Sequence, residues 1–254
     1  MTIHLAILEK TKKLLQPGGF KAVIPYLKSK LHAKRRALYE LLGNDSLSKP
    51  YLGHKKLLDY ISKYNGFFIE VGGNDGYRDD PSYYLEKFRG WNGVIIEPLS
   101  ISGQCQRNRK KSHVIRAAMV SSDFPENSIT LIDCGAMSII KDGVPDYKAW
   151  IAEGEKCQNI KAREVVVPAL TLDSVLTGYF SNHRKQPIDL LIMDVEGYES
   201  EVLKGLDLNK YSPEYILLEL ILPELKIKIE EYFGERYLLV GKITNGDFLY
   251  QRAK

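Results

Sequence analysis

The chain has 254 residues, 44% hydrophobic and 27% charged, with a net charge of +4; this is the composition of a soluble globular protein, long enough for one α/β core and an extension. Cys105, Cys134 and Cys157 are dispersed and the five histidines are scattered, which excludes a disulfide framework or zinc motif and favours reduced thiols in a cytoplasmic setting. No apolar run reaches membrane-spanning length, and a start interrupted by Glu9 and several lysines does not read as a signal peptide.

The charge is unevenly spread. Residues 1–60 carry twelve Lys/Arg against four acids, a net of +8, whereas the rest of the chain is at −4. The basic part reads as a helical N-terminal extension, residues 1–60, ahead of a sheet domain over 61–254. Its first amphipathic helix spans 3–15 and stops at Pro17-Gly18-Gly19; a second spans about 21–42 and ends at Gly43-Asn44; a third, roughly 54–64, leads into Asn65-Gly66. Such a region is a solvated helical surface, a lid over a cleft, or an attractor for a phosphorylated acceptor or an anionic membrane face, which would allow peripheral membrane contact.

From residue 67 onward strands and helices alternate, which predicts a mostly parallel sheet. The expected strands are 67–71, 93–97, 113–119, 188–194 and 214–220, apolar runs suited to cover on both faces. Residues 128–132 and 163–168 are further strands, separated by an irregular segment holding Pro145, Tyr147 and Trp150. At the end, 236–243 and 247–252 flank Asn245-Gly246, a hairpin signal.

The stretch Phe67-Phe-Ile-Glu-Val-Gly-Gly-Asn-Asp-Gly76 carries the most chemistry. A strand feeding a glycine turn places a small-molecule site at its carboxyl end. The loop lacks the Gly-x-Gly-x-x-Gly of a pyrophosphate site, and Glu70 would repel phosphate while accepting a hydrogen bond from an ammonium group. That combination points to S-adenosylmethionine and away from nicotinamide cofactors. Asp80-Pro81 then opens a helix whose electropositive start suits a carboxylate. Glu97, 21 residues beyond Gly76, has the spacing of a ribose-diol acceptor, against the plainer reading of a strand-end acid. Asp194, followed by Val195-Glu196-Gly197-Tyr198-Glu199, and Glu219 close two later strands.

Five blocks of the chain resemble the FkbM family of S-adenosylmethionine-dependent methyltransferases, over about 65–252. They are Phe-Ile-Glu-Val-Gly-Gly-Asn-Asp-Gly; Tyr-Tyr-Leu-Glu-Lys with Trp-Asn-Gly-Val-Ile-Ile-Glu-Pro; Leu-Thr-Leu-Asp-Ser-Val-Leu at 170–176; Ile-Asp-Leu-Leu-Ile-Met-Asp-Val-Glu-Gly-Tyr-Glu; and Tyr-Ile-Leu-Leu-Glu-Leu. Gly73 stands where family members often have Ala, and Tyr-Arg-Asp-Asp-Pro at 77–81 departs further. The resemblance implies a Rossmann-like sheet of seven strands with the last inserted antiparallel, and usually O-methylation. By position it implies that Glu70, Gly72, Asn74 and Gly76 line the methionine end of the donor, with Tyr77 or Ser82 adding contacts, Glu97 on the ribose and Ala118 near the adenine.

Methyl transfer to an alcohol needs alignment and help in removing a proton, from a base or a metal. Glu196 is the candidate base. Asp194 and Glu219 offer hard oxygen ligands to Mg2+ or Mn2+; their alternatives are a loop-shaping or cofactor contact and a lysine-paired strand-end acid. Glu199 reads simply as an acid in the first turn of a helix over 199–205. Trp150, Tyr147 and Tyr198 are either an apolar wall for an acceptor or packing residues. The leading expectation is an O-methyltransferase for a sugar, glycan or other small molecule, with no nucleic-acid partner. RNA methylation, suggested by the basic extension, lacks the Asn/Asp-Pro-Pro-aromatic loop; a non-catalytic protein on the same fold is the remaining alternative.

Overall fold

A computed structural model describes residues 34–35, 38–42 and 51–254. The chain divides into two compact units, 1–49 and 50–254. Of the first, residues 34–35 and 38–41 are helical; the helix expected over 3–15, its Pro17-Gly18-Gly19 stop and most of the helix over 21–42 lie outside the described residues. The second unit starts ahead of the boundary expected at residue 60. Its first helix, α1 (His54–Tyr60), sends Leu57 into the core beside Tyr51 and Ile61. Among the described residues no helix is long and apolar enough to cross a membrane.

Seven strands form the main sheet: β1 (Phe67–Val71), β2 (Asn92–Ile96), β3 (Ser112–Ile115), β8 (Leu190–Met193), β9 (Tyr215–Glu219), β10 (Tyr237–Lys242) and β11 (Asp247–Arg252). Their order is β10-β11-β9-β8-β1-β2-β3, and β11 runs antiparallel between β9 and β10 while β9, β8, β1, β2 and β3 are parallel neighbours. This is the expected Rossmann-like methyltransferase arrangement. All five residues of β1 are buried, because alternate side chains face opposite layers. Phe67, Ile69 and Val71 join one apolar layer with Val94, Leu191 and Ile216, and Phe68 joins the other with Ile95, Ile192 and Trp91.

The expected strand 113–119 is two strands. β3 stays with β2, and after Arg116-Ala117 the chain changes partner: β4 (Ala118–Met119) pairs parallel with β7 (Arg163–Leu170) in a second sheet of order β4-β7-β5-β6. There β7 pairs antiparallel with β5 (Ser128–Asp133), and β6 (Ile139–Ile140) closes the other edge. The segment expected to be irregular contains a helical turn, Gly135–Met137, and the helix α4 (Tyr147–Gln158). Its Tyr147 and Trp150 pack against Ile132, Cys134, Ile139 and Val144, and the Trp150 indole donates to the Met137 carbonyl at 3.2 Å. Both residues thus pack in this cluster. The Thr-Leu-Asp block caps the helix α5 (Leu172–Asn182): Thr171 Oγ1 accepts from Ser174 N, and Asp173 holds Lys210 and the Asp207 N–H.

Candidate active site

Parallel strands end together, so the loops after β1, β2, β8 and β9 meet at one edge of the sheet. They enclose a cavity of about 800 Å3, walled on the far side by the second sheet through Ala118, Met119, Leu131 and Ile140.

Gly72 makes the junction between β1 and β8. Its φ is +95°, and a Cβ there would lie 1.9 Å from the Asp194 carbonyl oxygen, so only glycine admits that approach. At Gly73 a Cβ would meet Ile95 Cγ2 at 2.2 Å, which gives the departure from the family's frequent Ala a packing reason. Asn74, at φ 44°, turns its N–H to Glu97 Oε2 at 2.8 Å, and Glu97 Oε1 accepts from Leu99 N at 2.8 Å. Glu97 is thereby fixed at the rim of β2, and burial raises its pKa. Asp80 caps the helix α2 (Pro81–Arg89), accepting from Tyr83 N at 2.7 Å, with Pro81 at the first helical position as expected.

Of the expected donor residues, Glu70, Gly72, Asn74, Glu97 and Ala118 line the cavity. Gly76, Tyr77 and Ser82 do not: Gly76 packs over Arg109 and Cys105, Tyr77 stands edge-on to Tyr83, and Ser82 is fully buried against Glu70 and Asp80. Because Ser82 donates to Glu70 Oε2 at 2.5 Å, that oxygen is already engaged; burial and the nearby Asp80 push the Glu70 pKa up to about 8.

Asp194, Glu196 and Glu219 come together on the other side of Gly72, each offering an oxygen within 4.8 Å of the others. Asp194 opens onto the cavity and is exposed there, whereas Glu196 and Glu219 are half-buried. Desolvation by the protein packed around the carboxylate, with two flanking acids, raises its pKa well above the usual range, and it shares a hydrogen bond with Glu219, itself shifted up by burial. Glu196 sits at φ 56° in the loop after β8, and burial with Glu219 and Glu199 nearby brings it to about 8. Tyr198 also lines the cavity, unlike Tyr147 and Trp150.

Glu199 plays a part that its helical position did not announce. Fully buried at the start of the helix α6 (Glu199–Lys204), it accepts from Val195 N and Gly197 N and so shapes the loop carrying Glu196. Its Oε2 is the one buried side-chain oxygen without a hydrogen-bond partner among the described residues, and burial brings its pKa to about 7. Asp133, at the end of β5, lines the cavity and was missed by sequence reasoning, because nothing local marks β5 as the wall of a site.

The family model described as the methyltransferase FkbM domain matches residues 70–240, more than half of the chain. Among solved structures the chain resembles methyltransferase FkbM from Methylobacillus flagellatus KT, at 14% identity and a TM-score of 0.43, over 74% of this chain and 43% of that one. It thus spans less than half the length of that protein. A human methyltransferase 10 domain containing protein matches at 10% identity and TM-score 0.44, covering 79% of this chain and 81% of that one. A SAM-dependent methyltransferase from Aquifex aeolicus matches at 12% and 0.39, covering 85% and 96%. A search of curated proteins found no significant match. With the family match laid over the glycine loop and the strand-end acids, the chain belongs to the FkbM family of S-adenosylmethionine-dependent methyltransferases.

Proposed function

We propose that this enzyme methylates a hydroxyl group of an uncharged, polyhydroxylated acceptor, a sugar, a glycan or a similar small molecule. The observation that carries the reading is the trio Asp194, Glu196 and Glu219, facing the cavity beside the glycine loop. On the donor side, Glu97 takes the ribose diol, the backbone of Gly72–Asn74 the methionine end, and Glu70 the ammonium on the oxygen that Ser82 leaves. Ala118 stands at the adenine edge.

On the acceptor side, Glu196 removes the hydroxyl proton as the oxygen–methyl bond forms. The methyl–sulfur bond breaks in line, and its electron pair stays on sulfur as a neutral thioether. Alignment of the three atoms does most of the work, and a positioned base supplies the rest. The spacing of Asp194 and Glu219 fits a hard divalent cation; Mg2+ or Mn2+ held there would polarise the acceptor oxygen.

The cavity is lined by nine acids against one base, Arg78, among the described residues. That balance suits a cationic donor and an uncharged acceptor, and opposes a phosphorylated acceptor or RNA, whose phosphates such a wall repels. Calorimetry with S-adenosylmethionine and S-adenosylhomocysteine, then mass spectrometry of neutral and phosphorylated glycans incubated with the enzyme, tests the reading. The expected outcome is donor binding and one added methyl on a neutral hydroxyl. Absence of donor binding, or full turnover by Glu196→Gln, overturns the donor or base assignment respectively.

A further inference from the structure

The loop that lines the donor side of the cavity is held from beneath by an arginine that does not itself line it. Arg109 directly follows the helix α3 (Ser102–Asn108) and is fully buried. Its Nη1 donates to Asp80 Oδ2 at 2.6 Å and lies 3.5 Å from Glu70 Oε2, its Nη2 donates to Ser82 Oγ at 2.6 Å, and its Nε donates to Glu86 Oε2 at 3.1 Å. Ser82 passes the chain of bonds on to Glu70. Ser112 Oγ and the Lys111 N–H satisfy Glu86 from the other side. The rings of Phe68 and Tyr83 flank the guanidinium at 5.2 and 5.9 Å.

These partners bracket the loop along the chain. Glu70 stands just before Gly72, and Asp80 and Ser82 follow Asp79. The apex is held as well: Gly76 has φ +72°, and a Cβ there would lie 2.7 Å from Arg109 Cγ, so the arginine stem is the floor of the turn. The preceding Asn108 donates its Nδ2 to the Asp75 carbonyl at 2.7 Å, and Asp75 Oδ1 in turn accepts from Tyr77 N and Arg78 N. Entry, apex and exit of the loop therefore all rest on Asn108-Arg109.

A buried ion network of this size is a poor source of stability, since apolar residues of similar volume hold a core as well or better. What a rigid guanidinium fork does supply is geometry, spanning several oxygens at fixed angles in a way a lysine ammonium does not. We propose that Arg109 is the positioning residue of the donor loop, holding residues 72–79 in the shape that receives S-adenosylmethionine through Glu70, Asp80, Ser82 and Gly76. The proposal rests on the assignment of this cavity to the methyl donor.

The test uses the full chain, with calorimetric titration of S-adenosylhomocysteine and hydrogen exchange on wild type, Arg109→Met, Arg109→Lys and Ser82→Ala. Well below its melting temperature, Arg109→Met should bind about tenfold more weakly or worse, because the loop groups that meet the donor are no longer pre-organised. Amides of 72–79 should exchange faster, while those of 67–71 and 190–193 keep their protection. Arg109→Lys should recover part of the affinity, and Ser82→Ala should show a smaller change of the same kind. A role in stability alone would lower the melting temperature and leave donor affinity and loop exchange at wild-type values; that result in the folded variants overturns the proposal. If Arg109→Met does not fold, Arg109→Lys and Ser82→Ala decide on the same criteria. Failure of the wild type to bind overturns the donor assignment itself, whereas normal binding by wild type and variants alike overturns only the role of Arg109.

Discussion

Gly72→Ala is the sharpest single perturbation of the junction between donor loop and strand-end acids. The new Cβ would sit 1.9 Å from the Asp194 carbonyl oxygen, against the ~3.5 Å of an unstrained contact. The backbone of Gly72 is pinned by its N–H to Ile96 O at 2.9 Å, and that of Asp194 by its N–H to Val71 O at 3.0 Å. Relief therefore requires β1 and β8 to part at their ends. Alanine at φ +95° adds strain of about 1–3 kcal/mol. With lost packing included, we expect a total near 3 kcal/mol or more, which for a domain of this size lowers the melting temperature by roughly 6–12 °C. Donor affinity should fall by about tenfold or more, because Gly72 and Asn74 move with the strand end. Gly73→Ala is the internal control: its Cβ clashes with the Ile95 side chain and reaches Cys105 Sγ only at an ordinary 3.7 Å, so the expected cost is an overpacking penalty of about 1–3 kcal/mol with Asp194 undisturbed. Scanning calorimetry and donor titration read both variants. A Gly72→Ala protein melting within about 2 °C of wild type, with unchanged donor affinity, would refute the reasoning.

Glu97→Gln keeps the shape of the side chain but loses the charge that accepts the Asn74 and Leu99 N–H groups; donor affinity measured by titration should drop about tenfold, in line with about 1.5 kcal/mol or more for a charge-assisted bond. Chelator should lower methyl transfer and Mg2+ or Mn2+ restore it, and turnover indifferent to both would remove the cation from the site of Asp194 and Glu219. Stability should fall as pH rises from about 4.3 to about 8 in the absence of donor. Glu70 at about 8, facing Asp80, Arg109 and Ser82, and Glu199 at about 7, facing the Val195 and Gly197 N–H groups and Glu219, both hold protons in the fold. An unfolded glutamate titrates near 4.3, so their stabilising protonation is complete below that value and is lost as pH passes through 7–8. Glu199→Gln, whose Oε1 still serves Val195 and Gly197, should flatten the slope of melting temperature against pH; an unchanged slope would exclude Glu199 as a source.

The sequence by itself determined the parallel sheet, the glycine turn after its first strand, the Asn245-Gly246 hairpin and the acids Glu97, Asp194, Glu196 and Glu219. These are features of one strand and the turn beside it, where alternation, glycine and a terminal carboxylate already fix direction and position. The tertiary structure alone decided what lay across elements. Strand 113–119 breaks because its second half finds β7 as a better-placed partner than β2. Tyr77 and Ser82 stand next to the cavity in the chain but face Tyr83 and Glu70. Trp150 turns into its own packing cluster. Arg109, one of four basic residues in Arg107-Asn-Arg-Lys-Lys111, looks like its neighbours and is the one taken inside. Which cation of a run is buried depends on three carboxylates contributed by β1, the cap of α2 and α2 itself, and a local pattern holds no record of partners that arrive from 23 to 39 residues away.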